Sequence, residues 1–137
     1  MKKLIVLTLL ALSAFGAFGQ SEKEHKIVFQ MATADEKEQG SLGRQINNVL
    51  AYWPDAKIEV VVHSAAIEYM MKVKSVDKEN IEALLAKDVT FAVCRNTMKR
   101  KGVSEEEIID GAVFVPVGIA EIVEKQETGY AYIKAGY

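Results

Sequence analysis

The chain has 137 residues, with 17 Lys and Arg against 19 Asp and Glu, for a net charge of −2. A slightly acidic chain of this length suits one domain with one core, and it lacks the basic face that nucleic acid requires. Its two histidines and single cysteine are too few and too widely spaced for a zinc site, a Cys-x-x-Cys redox pair or an internal disulfide, so no metal and no cofactor is expected.

The chain opens with MKKLIVLTLLALSAFGAFGQ. Lys2 and Lys3 give a positive start, Leu4 to Leu12 form an apolar run, and Ala17 and Gly19 fit a small-x-small cleavage site. Residues 1–19 therefore read as a signal peptide cleaved before Gln20, and the protein as exported, to the periplasm where a cell has two membranes. The apolar run is too short for a membrane anchor. No cysteine stands at the cleavage site to take a lipid. Without residues 1–19 there remain 118 residues and, Lys2 and Lys3 being gone, 15 basic against 19 acidic side chains, a net of −4. Residues 20–25 read as a flexible, solvated leader, with no role for His25, and residues 26–137 as the folded domain.

In that domain strands and helices alternate. Lys26–Ala32 (KIVFQMA) is a strand-like run. Asp35–Trp53 has helical spacing, with Leu42, Ile46, Val49 and Leu50 on one face, and Pro54 stops it. Lys57–His63 is a second strand. Ala65–Lys72 reads as a short helix whose Met70 and Met71 serve packing. Asp77 reads as the N-cap of a helix carrying Ile81, Leu84 and Leu85. Val89–Cys94 (VTFAVC) is the third strand. Asn96–Lys101 is a helical segment closed by Gly102, and Ser104 with Glu107 forms a capping box for a turn ending near Asp110. Ala112–Val117 is a fourth strand, Ile119–Thr128 a helix stopped by Gly129, and Tyr130–Lys134 a last strand at a sheet edge. This alternation predicts an α/β sandwich around a largely parallel sheet of five strands. The runs KIEVVV and VTFAVC are nearly continuous in apolar residues, as strands covered on both faces should be.

In such sheets ligands and chemistry sit outside the carboxyl ends of the strands, and Cys94 ends the third. An unpaired cysteine in an exported chain is an intermolecular bridge, a reactive thiol or an inert packed one. The residues after it favour reactivity, because positive charge stabilises the thiolate. Arg95, Lys99, Arg100 and Lys101 supply that charge, and Asn96 would open a helix beside the sulfur; the same basic run also suits an ordinary solvated helix end. His63 ends the second strand and reaches the thiol only if the second and third strands are neighbours. Pro116 and Gly118 would rim the pocket, and the amides of Arg95 and Asn96 would floor it. There is no glycine-rich phosphate loop and no nucleophile-elbow motif.

The stretches FAVCRNTMKRKGV, VFVPVGIAEIVEKQETGYAYIK and VVVHSAAIEYMM resemble the DsrE family of small sulfur-metabolism proteins, over about Lys26 to Lys134. The most specific part is C-x5-R-[KR]-G-V, here Cys94 to Val103. The resemblance implies a three-layer α/β/α sandwich, a homotrimer or hexamer, and a persulfide carried on Cys94, exchanged with a sulfur donor or acceptor protein. Relay members of the family work in the cytoplasm, whereas this chain begins like an exported one. Arg95-Asn-Thr-Met98 is also bulkier and more polar than the corresponding relay segment. The alternative is a non-catalytic oligomeric module that binds a small ligand or scaffolds others, with Cys94 only lining its cleft.

Overall fold

The computed structural model describes residues 23–136, so the signal segment expected at residues 1–19 and the first leader residues lie outside the described residues. Five strands form one sheet: β1 (Lys26–Met31), β2 (Lys57–Val62), β3 (Thr90–Cys94), β4 (Val113–Val115) and β5 (Ala131–Lys134). All pairings are parallel and the order is β4-β3-β2-β1-β5. The helices are α1 (Glu36–Tyr52), α2 (Lys78–Leu85), α3 (Arg95–Lys101) and α4 (Gly118–Glu127), with 3-10 turns at Ser64–Met70 and Glu105–Glu107. Among the described residues no helix is long and apolar enough to cross a membrane.

This order explains the layers. Crossovers between parallel strands are right-handed, so three successive steps in one direction, β1 to β4, place their connections on one face. The return from β4 to β5 runs the other way and places α4 on the opposite face. The core divides accordingly. The larger cluster packs sheet residues Phe29, Val60, Val62, Phe91 and Val93 against Leu42 and Ile46 of α1, Ile81 and Leu84 of α2 and Met98 of α3. The smaller one joins Val28, Val61 and Ala92 to Ile122 of α4. The three-layer sandwich is thus lopsided, with one layer built on a single helix among the described residues.

Local signals set most boundaries. Asp35 caps α1 by accepting the Glu38 amide at 2.9 Å. Gly102, at φ 67°, takes the left-handed position that ends α3. Two expectations are corrected, and a third, Asp77 as the N-cap of α2, holds in position only. The helix expected at Ala65–Lys72 is a 3-10 turn starting one residue earlier, at Ser64. Asp77 occupies the N-cap of α2 but makes no capping bond. Its buried carboxylate instead accepts from Asn80 Nδ2 at 2.6 Å and from the Tyr69 hydroxyl at 3.4 Å. The leader ends before His25, whose ring stacks on Trp53 with centroids 3.9 Å apart and whose carbonyl accepts the Lys57 amide at 2.8 Å.

Candidate functional site

Side chains alternate across a strand, so Cys94 shares the face of Ala92 and lies under α4 rather than in the larger core. It is the last residue of β3 and the N-cap of α3, and only 5% of it is exposed. The amide of Gly118, the first residue of α4, donates to Cys94 Sγ at 3.3 Å. Space is tight there. A Cβ on Gly118 would lie 3.1 Å from His63 Cβ, 3.2 Å from Cys94 Cβ and 3.3 Å from Val61 Cγ1. A second bond, from the Asn96 amide to the Pro116 carbonyl at 3.3 Å, ties the start of α3 to the end of β4. Because β2, β3 and β4 are successive neighbours, His63, Cys94 and Pro116–Gly118 are brought to one rim.

Burial by itself pushes the Cys94 thiol up. The Thr97 hydroxyl, the Gly118 amide and the first-turn amides of Thr97 and Asn96 outweigh it, and the thiol lies below its ordinary value. The Asn96 amide bonds to the Pro116 carbonyl and the cap closes no hydrogen bond, so Gly118 makes the one amide hydrogen bond to the sulfur. The amide that touches the sulfur is therefore that of Gly118, from the expected rim. It is a donor. Donors favour a sulfur that carries negative charge, as a thiolate or as the outer sulfur of a persulfide.

The basic run does not supply that stabilisation. Arg95 turns outward to pair with Glu105, and its guanidinium lies 5.1 Å over the Phe114 ring. Lys99 and Lys101 are exposed. Arg100 acts on His63 instead: burial first, then the Arg100 charge, hold that imidazole below its usual value and so neutral. His63 does not bond to the sulfur. Its Nε2 lies 2.9 Å from Gln30 Nε2 and its Nδ1 2.8 Å from Ser64 Oγ, while the Tyr132 hydroxyl donates to Gln30 Oε1. A cavity of about 440 Å³ on the carboxyl side is lined by Ala34, Ala65, Ile67, Lys101 and Val103 among others, and Cys94, Pro116 and Gly118 are not in its wall. Another, of about 700 Å³, surrounds Trp53 at the opposite edge. Among the described residues no cluster of three or more His, Cys, Asp or Glu side chains could hold a metal ion.

Sequence reasoning overlooked Gln30 and Thr97. It also overlooked Glu59 of β2, which is 4% exposed beneath α4. Glu59 Oε2 pairs with Lys125 Nζ at 2.6 Å, Lys125 reaches Glu121 at 3.5 Å, and Glu59 Oε1 has no partner. Gln30 and Glu59 did leave a signal: each is the one polar residue in the apolar run that follows its strand's opening lysine, and a buried polar group needs a partner.

The profile of the DsrE/DsrF-like family matches residues 25–135. Among solved structures, the chain is similar to MTH1491, a protein of unknown function from Methanobacterium thermoautotrophicum. The TM-score is 0.78 at 27% identity, covering 81% of this chain and 99% of that one. It also shares the fold of the ychN protein from E. coli, with a TM-score of 0.67 at 14% identity over 81% of this chain and 98% of that one. No curated protein sequence matches the chain.

Proposed function

The chain belongs to the DsrE/DsrF-like family, and on that premise we propose that Cys94 carries sulfur, as a persulfide or a mixed disulfide, in an exported homo-oligomer. The observation that supports this reading is the Gly118 amide donating to Cys94 Sγ at 3.3 Å, with the thiol held below its ordinary value. The chemistry follows from it. The Cys94 thiolate attacks the outer sulfur of a donor protein's persulfide. One S–S bond forms as the donor's S–S bond breaks, and the donor leaves as a thiolate. An acceptor thiolate then takes the sulfur from Cys94 by the same exchange, with no external oxidant. While it is held, the outer sulfur is an anion, and an amide donor suits it.

Export rests on the composition of residues 1–19, and a trimer or hexamer on the family together with an exposed apolar surface. Ile119 and Val123, one turn apart on the outer side of α4, are 53% and 47% exposed, and Tyr132 on edge strand β5 is 41% exposed.

The 5% exposure of Cys94 favours a second reading, an oligomeric binding or scaffolding module in which the thiol only packs. One experiment separates the two. Protein purified from its native compartment is analysed by intact mass, and Cys94 alkylation is followed against pH. An adduct of one sulfur, with an alkylation midpoint below the free-thiol value of about 8.5, is the expected result. A bare thiol that labels only in denaturant overturns the sulfur-carrier reading and leaves the binding module.

A further inference from the structure

β2 passes into the 3-10 turn that follows it through one strained residue. Ser64 has φ 57°, in the left-handed region that residues other than glycine rarely enter. Such a backbone persists only where its surroundings fix it, and it clusters at functional positions. Here the Ser64 amide donates to Thr97 Oγ1 at 3.0 Å, which ties the turn to α3. A strand, a left-handed serine and a helical turn in succession make the backbone of a nucleophile elbow, which lifts a serine hydroxyl over the carboxyl edge of a sheet. The usual glycines are absent, because Val62 and Ala66 stand two residues before and after Ser64. The arrangement is therefore visible in the backbone and not in the sequence.

The side chains extend it. Ser64 Oγ lies 2.8 Å from His63 Nδ1. His63 Nε2 lies 2.9 Å from the side-chain amide of Gln30, which the Tyr132 hydroxyl holds from β5. A hydroxyl beside an imidazole whose other nitrogen is fixed by a third group is the pattern of an activated nucleophile. His63 is neutral, chiefly through burial, and so is free to take a proton. Its working tautomer carries the proton on Nε2. The Gln30 amide is then turned over, with Oε1 accepting from Nε2 and the amino group donating to the Tyr132 oxygen, and Nδ1 accepts from Ser64. The amide of Ala65 makes no hydrogen bond among the described residues. In an elbow, the amide after the nucleophile is an oxyanion donor. Ala65 also stands in the wall of the 440 Å³ cavity, with Ile67, Met71 and Val103 as its apolar part, and Ser64 precedes that wall by one residue. A volume of that size suits a small molecule.

We infer that Ser64 and His63 form a serine–histidine dyad for acyl transfer from a small carboxylic ester, an activity separate from sulfur carriage on the same rim. Ser64 Oγ attacks the acyl carbon as its proton passes to His63 Nδ1. The C–O bond to the alcohol breaks, and the leaving alkoxide takes that proton from His63. Water then attacks the acyl-serine by the same route, giving its proton to His63, and the acid leaves as Ser64 regains a proton.

The test treats the full chain with a fluorophosphonate at pH 8, where Ser64 Oγ would displace fluoride, and locates the adduct by peptide mass mapping. One phosphonyl group on Ser64 is expected. Ser64→Gly, which suits φ 57° and lacks the hydroxyl, should take none, and His63→Gln should label about a hundredfold more slowly, with thermal melts to confirm that both fold. The labelled wild type should also lose its release of p-nitrophenol from p-nitrophenyl acetate. No adduct on the native protein, an adduct at another residue, or equal labelling of His63→Gln overturns the dyad and leaves Ser64 as a structural tie in a tight turn. Ester cleavage that survives complete labelling overturns the activity. Should His63→Gln not fold, the wild-type map decides alone. The sulfur-carrier reading is untouched by any of these results, since it is judged on the mass and alkylation of Cys94.

Discussion

Replacing Lys125 by methionine removes the only cation paired with the buried carboxylate of Glu59, 2.6 Å away, among the described residues. The Glu59 side chain is 6% exposed and Lys125 26%, so solvent can compensate little on the strand side of the pair. Burial already holds the Glu59 carboxyl above its ordinary value; Lys125 opposes that rise, and Glu121 adds to it. Lys125 is itself held above its ordinary value: burial works against its charge, but the carboxylates prevail because it is the better solvated partner. Deleting one partner of a buried pair costs about 3–5 kcal/mol. The folded protein has an escape, which is to protonate Glu59. From the ordinary value of 4.5, that uptake costs about 3.4 kcal/mol at pH 7 and about 0.7 kcal/mol at pH 5. The sign follows from linkage. A carboxyl whose folded pKa is raised binds more protons folded than unfolded, so stability falls as pH rises above 4.5 towards the folded value. Lys125→Met should therefore lose about 3 kcal/mol at pH 7, on the order of 10 °C in Tm for a domain of this size. Near pH 5 most of that loss should vanish. Circular-dichroism melts of both proteins at the two pH values measure it. An equal loss at both values, or none at pH 7, would refute a buried carboxylate as the cause and leave only the lost packing on Tyr130, whose ring centre lies 5.3 Å from Lys125 Nζ.

Two further outcomes are expected. Gly118→Ala drives a methyl against His63, Cys94 and Val61, all within 3.3 Å. It should cost about 1–3 kcal/mol in urea unfolding, and as the amide is pushed off the sulfur it should raise the Cys94 alkylation midpoint; a variant as stable as the wild type with an unchanged midpoint contradicts the close approach. The exposed Ile119 and Val123 of α4 should be covered in a trimer or hexamer, so light scattering at micromolar concentration should give at least three times the chain mass, and Ile119→Asp with Val123→Asp should lower it; a wild-type monomer would remove the oligomer from the proposal.

The fold was legible because its determinants are local. KIEVVV and VTFAVC are short, β-branched runs suited to strands buried on both faces, and the punctuation at Asp35, Pro54, Gly102 and Gly129 is chemical. The sheet order was not legible, since it depends on which edge each crossover chooses, and no residue encodes that choice alone. His63 near Cys94 hung on that order. The place of Thr97 was hidden for a related reason. It reads as one more polar residue in a basic helix until Ser64, 33 positions earlier, is placed against it at 3.0 Å. Charge, by contrast, was too easily read. Arg95, Lys99, Arg100 and Lys101 are close to Cys94 in sequence, but long cationic side chains seek water or a carboxylate, and Arg95 finds Glu105.

The position of α4 connects the thiol to the buried ion pair. Among the described residues it is the one helix on the Cys94 face, and it is pinned to the sheet by polar groups near both ends. At its start the Gly118 amide holds the sulfur of β3; near its end Lys125 holds Glu59 of β2. Only Ile122 of α4 is an apolar side chain buried against that face in the smaller core cluster. This layer rests on a thin apolar seam, and it is the layer that covers the sulfur. In a sulfur carrier, the same contact that stabilises the anion would then also cover it. Reactivity at Cys94 should be limited by how readily the Gly118 end of α4 lifts, and the buried pair at the other end resists that motion most strongly when both of its groups are charged.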